Sequence, residues 1–160
     1  MHLPRRRPGV GAPLIQTTHR KFGLSIIQQR NKSSYENEIA AWLRTLNVQF
    51  RRNDRTILRP KELDFYLPEC KLAIEFQGDY WHMNPALFDK KEINRSKNMS
   101  ALAIWERDQW KVEMCAVKGI EVIQIWEANW NSHKADIQKE IISRISLQAP
   151  LITYPILIQK

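Results

Sequence analysis

Residues 63–82 read LDFYLPECKLAIEFQGDYWH. Pro68 stops one apolar run, Gly78 stops the next, and only Pro68-Glu69-Cys70 lies between them. Two β-prone runs joined by so short a turn predict an antiparallel hairpin over Leu63–Leu67 and Lys71–Gln77. Upstream, Ser33-Ser34-Tyr35-Glu36 has the capping-box pattern, and Ile39, Trp42, Leu43 and Leu46 follow at helical spacing. That helix is expected to end near Asn47, with Val48-Gln49-Phe50 starting a strand. Arg51 to Lys61 reads as a basic turn or hairpin closed by Pro60. Downstream, a short helix fits Pro85 to Glu92, and a long one fits Ala101 to Lys118, stopped by Gly119. Ile120 to Trp126 alternates like a half-buried strand, and Lys134 to Leu147 forms a last amphipathic helix. The order of elements predicts a mixed α/β domain.

The 160 residues suit one domain with a substantial core. No apolar run is long enough to span a bilayer, and the basic start MHLPRRRPGV lacks the apolar stretch of a secretory signal. A membrane is therefore not an expected partner. The two cysteines, Cys70 and Cys115, have no CxxC spacing, so buried free thiols are expected, not a disulfide framework or a zinc cluster. Residues 1–62 carry 13 Lys/Arg against 4 Asp/Glu, whereas the remainder carries 12 against 13. This uneven share of the net charge of +8 points to a polyanion-binding front half. Three segments are expected: a basic arm over 1–32, a domain over 33–148 and an apolar extension over 149–160. The extension reads equally as an edge strand, a dimer contact or a packed tail.

Acids inside apolar strands are the anomaly. Asp64 lies between Leu63 and Phe65, and Glu75 between Ile74 and Phe76. Charged side chains seldom occupy strands unless they face solvent or are paired. Alternation offers a solvated face holding Asp64 and Tyr66, which explains either acid alone. Together they imply more, because a tight hairpin brings both carboxylates close. Adjacent carboxylates repel and are best tolerated with a divalent cation between them, and such hard oxygen ligands suit Mg²⁺ or Mn²⁺. His82 follows Glu75 by seven residues, after a glycine bend and two aromatics. A lone histidine is more often structural than catalytic, but this placement makes His82 an acid–base candidate. Tyr80 and Trp81 read either as core or as wedges that stack on bases.

Pro60-x-x-x-Asp64 followed by Glu75-x-Gln77 is similar to the PD-(D/E)XK nuclease signature, with glutamine where lysine is usual. From about Ser33 to Trp130 the chain resembles the very-short-patch mismatch repair endonucleases and the EDxHD homing endonucleases. The likeness rests on Glu36 in the first helix, Asp64 on the hairpin and a Trp-His pair with His82 eighteen residues later. Arg107-Asp108 and Trp126-Glu127 complete it. The resemblance implies a restriction-endonuclease-like core, a small mixed sheet flanked by helices. It implies Asp64 as central metal ligand, with the backbone at Phe76 and Glu36 as further ones. His82 would assist the attacking water or the leaving oxygen, and Asp108 would support it. Tyr80 and Trp81 match aromatics that wedge into DNA. The chain departs from the repair enzymes in three respects. Met83-Asn84-Pro85 replaces their zinc cluster, so no structural zinc is expected; Glu75 is an acid where they are apolar; and Gln77 replaces the signature lysine.

The expected activity is thus Mg²⁺- or Mn²⁺-dependent phosphodiester hydrolysis in double-stranded DNA by a homing-type endonuclease, with Glu75 and Gln77 added to the site. Arg55, Arg59 and Lys61, with Arg5, Arg6, Arg7, Arg20 and Lys21 of the arm, would hold the flanking backbone. A mismatch-directed nickase and a non-catalytic DNA-binding protein are the competing readings. A double-strand cut needs two active sites, so a homodimer is a candidate assembly. The resemblance implies a cytoplasmic, non-secreted protein of a bacterial or phage-infected cell.

Overall fold

Strand β3 (Leu72–Gln77) is buried along its whole length, and its neighbours explain why. In the computed structural model, which describes residues 34–148, it lies inside a four-stranded sheet of order β1-β2-β3-β6. The other strands are β1 (Arg51–Asp54), β2 (Leu63–Leu67) and β6 (Glu121–Trp126). β1 and β2 run antiparallel, as do β2 and β3, whereas β6 is parallel to β3. A parallel neighbour demands a crossover. Helix α2 (Ala101–Val117) supplies it, preceded by a small hairpin of β4 (Ile93–Asn94) and β5 (Met99–Ser100). Residues 34–45 form helix α1, and α3 (Glu127–Gln148) closes the domain. The protein is an α/β fold with a small mixed sheet flanked by helices.

Alternation along β3 sorts its side chains onto two covered faces. Leu72, Ile74 and Phe76 join Ile39, Ala40 and Leu43 of α1 and Trp130 and Ile141 of α3. Ala73, on the opposite face, packs with Tyr66 of β2 and Cys115 of α2. The face shared by Asp64 and Tyr66 is therefore not solvated: Asp64 is 6% and Glu75 4% exposed. The alternation reading treated that face as open because a strand pattern cannot see the helix that covers it. Both cysteines are buried free thiols, and burial pushes each thiol up from its ordinary value.

Several boundaries differ from expectation. The strand expected to start at Val48–Phe50 begins at Arg51, inside the segment read as a turn or hairpin, and pairs antiparallel with β2 across it. Residues 85–92 form turns, not a helix. The last helix runs from Lys134 as expected, after a kink at His133 (φ −132°, ψ 29°), but a further helical stretch opening at Glu127 precedes that kink, so α3 spans Glu127–Gln148. Helix α2 ends as expected: Gly119 adopts φ +69°, a conformation that costs glycine little. The arm over 1–32, the capping residue Ser33 and the extension over 149–160 lie outside the described residues. No helix among the described residues is long and apolar enough to cross a membrane.

Trp130 ties α3 to the rest. Its ring is fully buried, meets Trp42 edge-on at 6.5 Å, and its Nε1 donates to Glu38 Oε2 at 3.1 Å. Trp130→Ala leaves a large cavity in the core, and is expected to cost about 3–5 kcal/mol in urea-denaturation stability. A midpoint equal to that of the parent protein would show that α3 docks without this anchor.

Candidate functional site

The register Phe65↔Ile74, extended by one residue, sets Asp64 opposite Glu75. There the two strands are joined through side chains. Asp64 N donates to Glu75 Oε1 at 3.1 Å, and Phe76 N donates to Asp64 Oδ2 at 2.9 Å. Each carboxylate takes the place of a ladder carbonyl, so both buried acids have backbone partners. Two adjacent buried negative charges still need a counter-charge. Lys111 of α2 provides it through an ion pair with Glu75 Oε2. Burial, then the charge of Asp64, pushes the Glu75 carboxyl up to about 7, with Lys111 acting in the opposite sense.

Helix α2 brings this cation because of its spacing. Ile104, Asp108, Lys111 and Cys115 recur at intervals of four, three and four residues, so one stripe faces the sheet. Its two ends, Ile104 and Cys115, are buried and apolar; its middle is charged. Lys111 escaped the sequence reading, which bounded α2 by its glycine stop and singled out only Arg107 and Asp108 within it. The signal was a charged pair within that stripe.

Asp108 holds the second part of the site. Its Oδ2 lies 2.6 Å from His82 Nδ1, and both side chains are largely buried. Burial opposes ionisation of Asp108. The hydrogen bond and charge of His82, with Arg107 and Lys97, nevertheless hold its carboxyl below the usual carboxylate value. An ionised Asp108 accepts the Nδ1 proton, which leaves the neutral ring's lone pair on Nε2.

His82 lies in no regular element, yet its loop is tied down. Asn94 Nδ2 donates to the Tyr80 carbonyl at 2.8 Å, and Lys97 Nζ donates to that of Trp81. Trp105 Nε1 donates to the carbonyls of His82 and Met83 at 3.2 and 2.7 Å. Four consecutive carbonyls thus find partners from β4, the β4–β5 turn and α2. Met83, at φ +51°, turns the chain straight after the histidine. That left-handed conformation costs a non-glycine residue on the order of 1 kcal/mol, which the bonded loop offsets.

One cleft of about 160 Å³ joins the His82–Asp108 pair to Lys111, with the Asp64–Glu75 pair buried outside its lining: Lys61, Glu62, His82, Arg107, Asp108, Trp110 and Lys111 line it. Three basic side chains, Lys61, Arg107 and Lys111, stand in this lining with two acids, Glu62 and Asp108. Glu62 is paired with Arg55 and Lys111 with Glu75, and the basic groups favour an anion beside the His82–Asp108 pair. Lys61 lines the cleft. Arg55 instead pairs with Glu62 at 2.9 Å, and Arg59 is exposed. Tyr80 and Trp81 are half-buried and meet edge-on at 5.3 Å, with Tyr80 bonded to Ser96 and Lys97 over the Trp81 ring. Glu36 forms an ion pair with Arg52 of β1 at 3.8 Å. The arm residues Arg5, Arg6, Arg7, Arg20 and Lys21 lie outside the described residues.

The donors fit a hard divalent cation. Asp64 and Glu75 supply carboxylate oxygens, and Gln77 lies two residues along on the same face of β3. Gln77 is 2% exposed, and its Oε1 is buried with no hydrogen-bond partner. An orphaned buried acceptor costs about 1–3 kcal/mol, so this position favours a ligand that is cationic or donates a proton. Among the described residues no three of His, Cys, Asp and Glu converge on one point. Mg²⁺ binds through one or two carboxylates, water and substrate phosphate, and Asp64 and Glu75 would be the carboxylates offered to it here. No family model matches the chain, and no curated protein matches it.

Proposed function

We propose that this protein is a divalent-metal-dependent DNA endonuclease with a PD-(D/E)XK-type core, of the homing-endonuclease kind. The observation that carries the reading is the meeting of three parts on one side of the sheet: the Asp64–Glu75 pair, Lys111, and the His82–Asp108 pair in a cationic cleft. Lys61, Arg107 and Lys111 draw a backbone phosphate into the cleft and offset its charge. His82 Nε2, with Nδ1 held by Asp108, takes a proton from the attacking water or returns one to the leaving oxygen. Lys111 is well placed for the role that the signature lysine plays elsewhere, since Gln77 carries no charge. Asp64 and Glu75, with Gln77 Oε1, would hold Mg²⁺ or Mn²⁺. Such an ion supplies charge compensation at the scissile phosphate and acidifies the attacking water.

The test is a supercoiled-plasmid nicking assay on the full chain, with Mg²⁺ or with EDTA. An Asp64→Asn preparation, purified in parallel, controls for contaminating nucleases. Nicking that needs both the metal and Asp64 supports the reading. Binding to the plasmid without any nicking in Mg²⁺ or Mn²⁺ would leave a DNA-binding protein. Duplexes carrying a T·G mismatch, compared with matched ones, separate a homing-type enzyme from a repair nickase.

A further inference from the structure

Trp110 is the feature of the cleft that hydrolysis does not use. It is 43% exposed, although tryptophan is among the side chains most strongly driven from water. Among the described residues its ring stacks on no aromatic side chain and carries no cation. Trp105, five residues earlier on the same helix, is bonded inward to the His82 loop. Trp110 instead lines the cleft between Arg107 and Lys111, with Lys61 also in the lining. The cleft therefore brings the basic side chains Lys61, Arg107 and Lys111, the His82–Asp108 pair and the open face of Trp110 together, with Arg107, Asp108, Trp110 and Lys111 all on α2.

We propose that Trp110 is a stacking platform for a nucleobase of the strand whose phosphate enters the cleft. On this proposal the site takes a polynucleotide with a base out of the helical stack beside the reacting phosphate. A phosphate monoester or a sugar-phosphate chain would engage the cations alone. Charge complementarity selects the occupant, because an apolar protein partner would have to bury Lys61, Arg107 and Lys111 beside its contact with the ring. Base–aromatic stacking combined with a cationic track is the usual means of binding a single strand. The inference rests on the nuclease reading above for the identity of the polyanion.

The experiment measures the affinity of the full chain, in EDTA so that no strand is cut, for two probes. One is a short mixed-sequence single-stranded oligodeoxynucleotide; the other is the same strand with abasic residues. Trp110→Ala is expected to weaken binding of the base-bearing strand about 5- to 150-fold, the range associated with loss of one stack. Trp110→Phe keeps a π-face and is expected to remain within a few-fold of the parent. On the abasic strand Trp110→Ala should have no effect. An unchanged melting temperature in Trp110→Ala, expected for an exposed side chain, excludes a folding cause. Equal affinity of Trp110→Ala and parent for the base-bearing strand overturns the proposal. So does an equal loss on both strands, or failure of the parent to bind either. Failure of the nuclease reading looks different: Trp110-dependent binding persists, but no substrate is cut in Mg²⁺.

Discussion

His82→Ala is expected to slow strand cleavage about 10²–10⁴-fold while leaving affinity for DNA nearly unchanged. The asymmetry follows from where the ring sits. Its Nδ1 is held 2.6 Å from Asp108, and the charge that attracts phosphate comes from Lys61, Arg107 and Lys111. Removing the imidazole therefore removes proton transfer and little electrostatic attraction. Asp108→Asn should also lower the rate, because an amide can present its N–H to Nδ1 and favour the opposite tautomer. The double variant should be no worse than His82→Ala alone, since the two side chains act as a unit. Single-turnover cleavage and equilibrium binding, measured on the same duplex, decide the matter. A parental cleavage rate in His82→Ala would remove His82 from the chemistry.

Lys111→Met is expected to cost both cleavage and stability, and the stability loss should depend on pH. In the parent, burial and Asp64 raise the Glu75 carboxyl from its ordinary 4.5 to about 7, and Lys111 restrains that rise. A folded-state value above the unfolded one makes stability fully present below 4.5 and progressively lost as pH rises through 7. Without Lys111 the Glu75 carboxyl moves higher still, so the loss continues into the alkaline range. Near pH 5 the carboxyl is largely protonated in both folded proteins, and the deficit of the variant should be small. Above about pH 8 it should approach the ~3–5 kcal/mol typical of breaking a buried pair. Adding Glu75→Gln removes the stranded carboxylate and should restore most of the stability but not the cleavage. Urea midpoints across pH, taken in EDTA, test this directly. A deficit that is flat with pH would mean that the ion pair with Glu75 is not what Lys111 contributes.

Much of the domain was legible from local chemistry. The hairpin over 63–77, the stop of α2 before Gly119 and the alternation of β6 each follow from short-range rules of turn residues, glycine conformation and side-chain period. The pairing of Asp64 with Glu75 followed too, because a short turn fixes register. His82 and Asp108 were named in the sequence and are brought into contact by the fold. The loop over 78–84 had no periodic signal, since it is held by turn bonds of its own and, at the carbonyls of residues 80–83, by Asn94, Lys97 and Trp105 from outside it. Residues 85–92 were misread, and the helical stretch from Glu127 to the kink at His133 was missed, for related reasons: turn bonds and a kink leave weak or interrupted patterns.

The stretch LDFYLPECKLAIEFQGDYWH by itself determined a hairpin with two facing acids and a histidine beyond its end. Alternation states which side chains share a face, and it holds for any strand. It carries no information on what lies above that face. Only the tertiary structure decided that α2 covers the acids, that Lys111 meets Glu75 there, and that Trp110 is left open beside them. Those contacts join residues about 36 positions apart. They depend on how a crossover helix packs on a sheet, which is set by the sum of many apolar contacts and by no local motif.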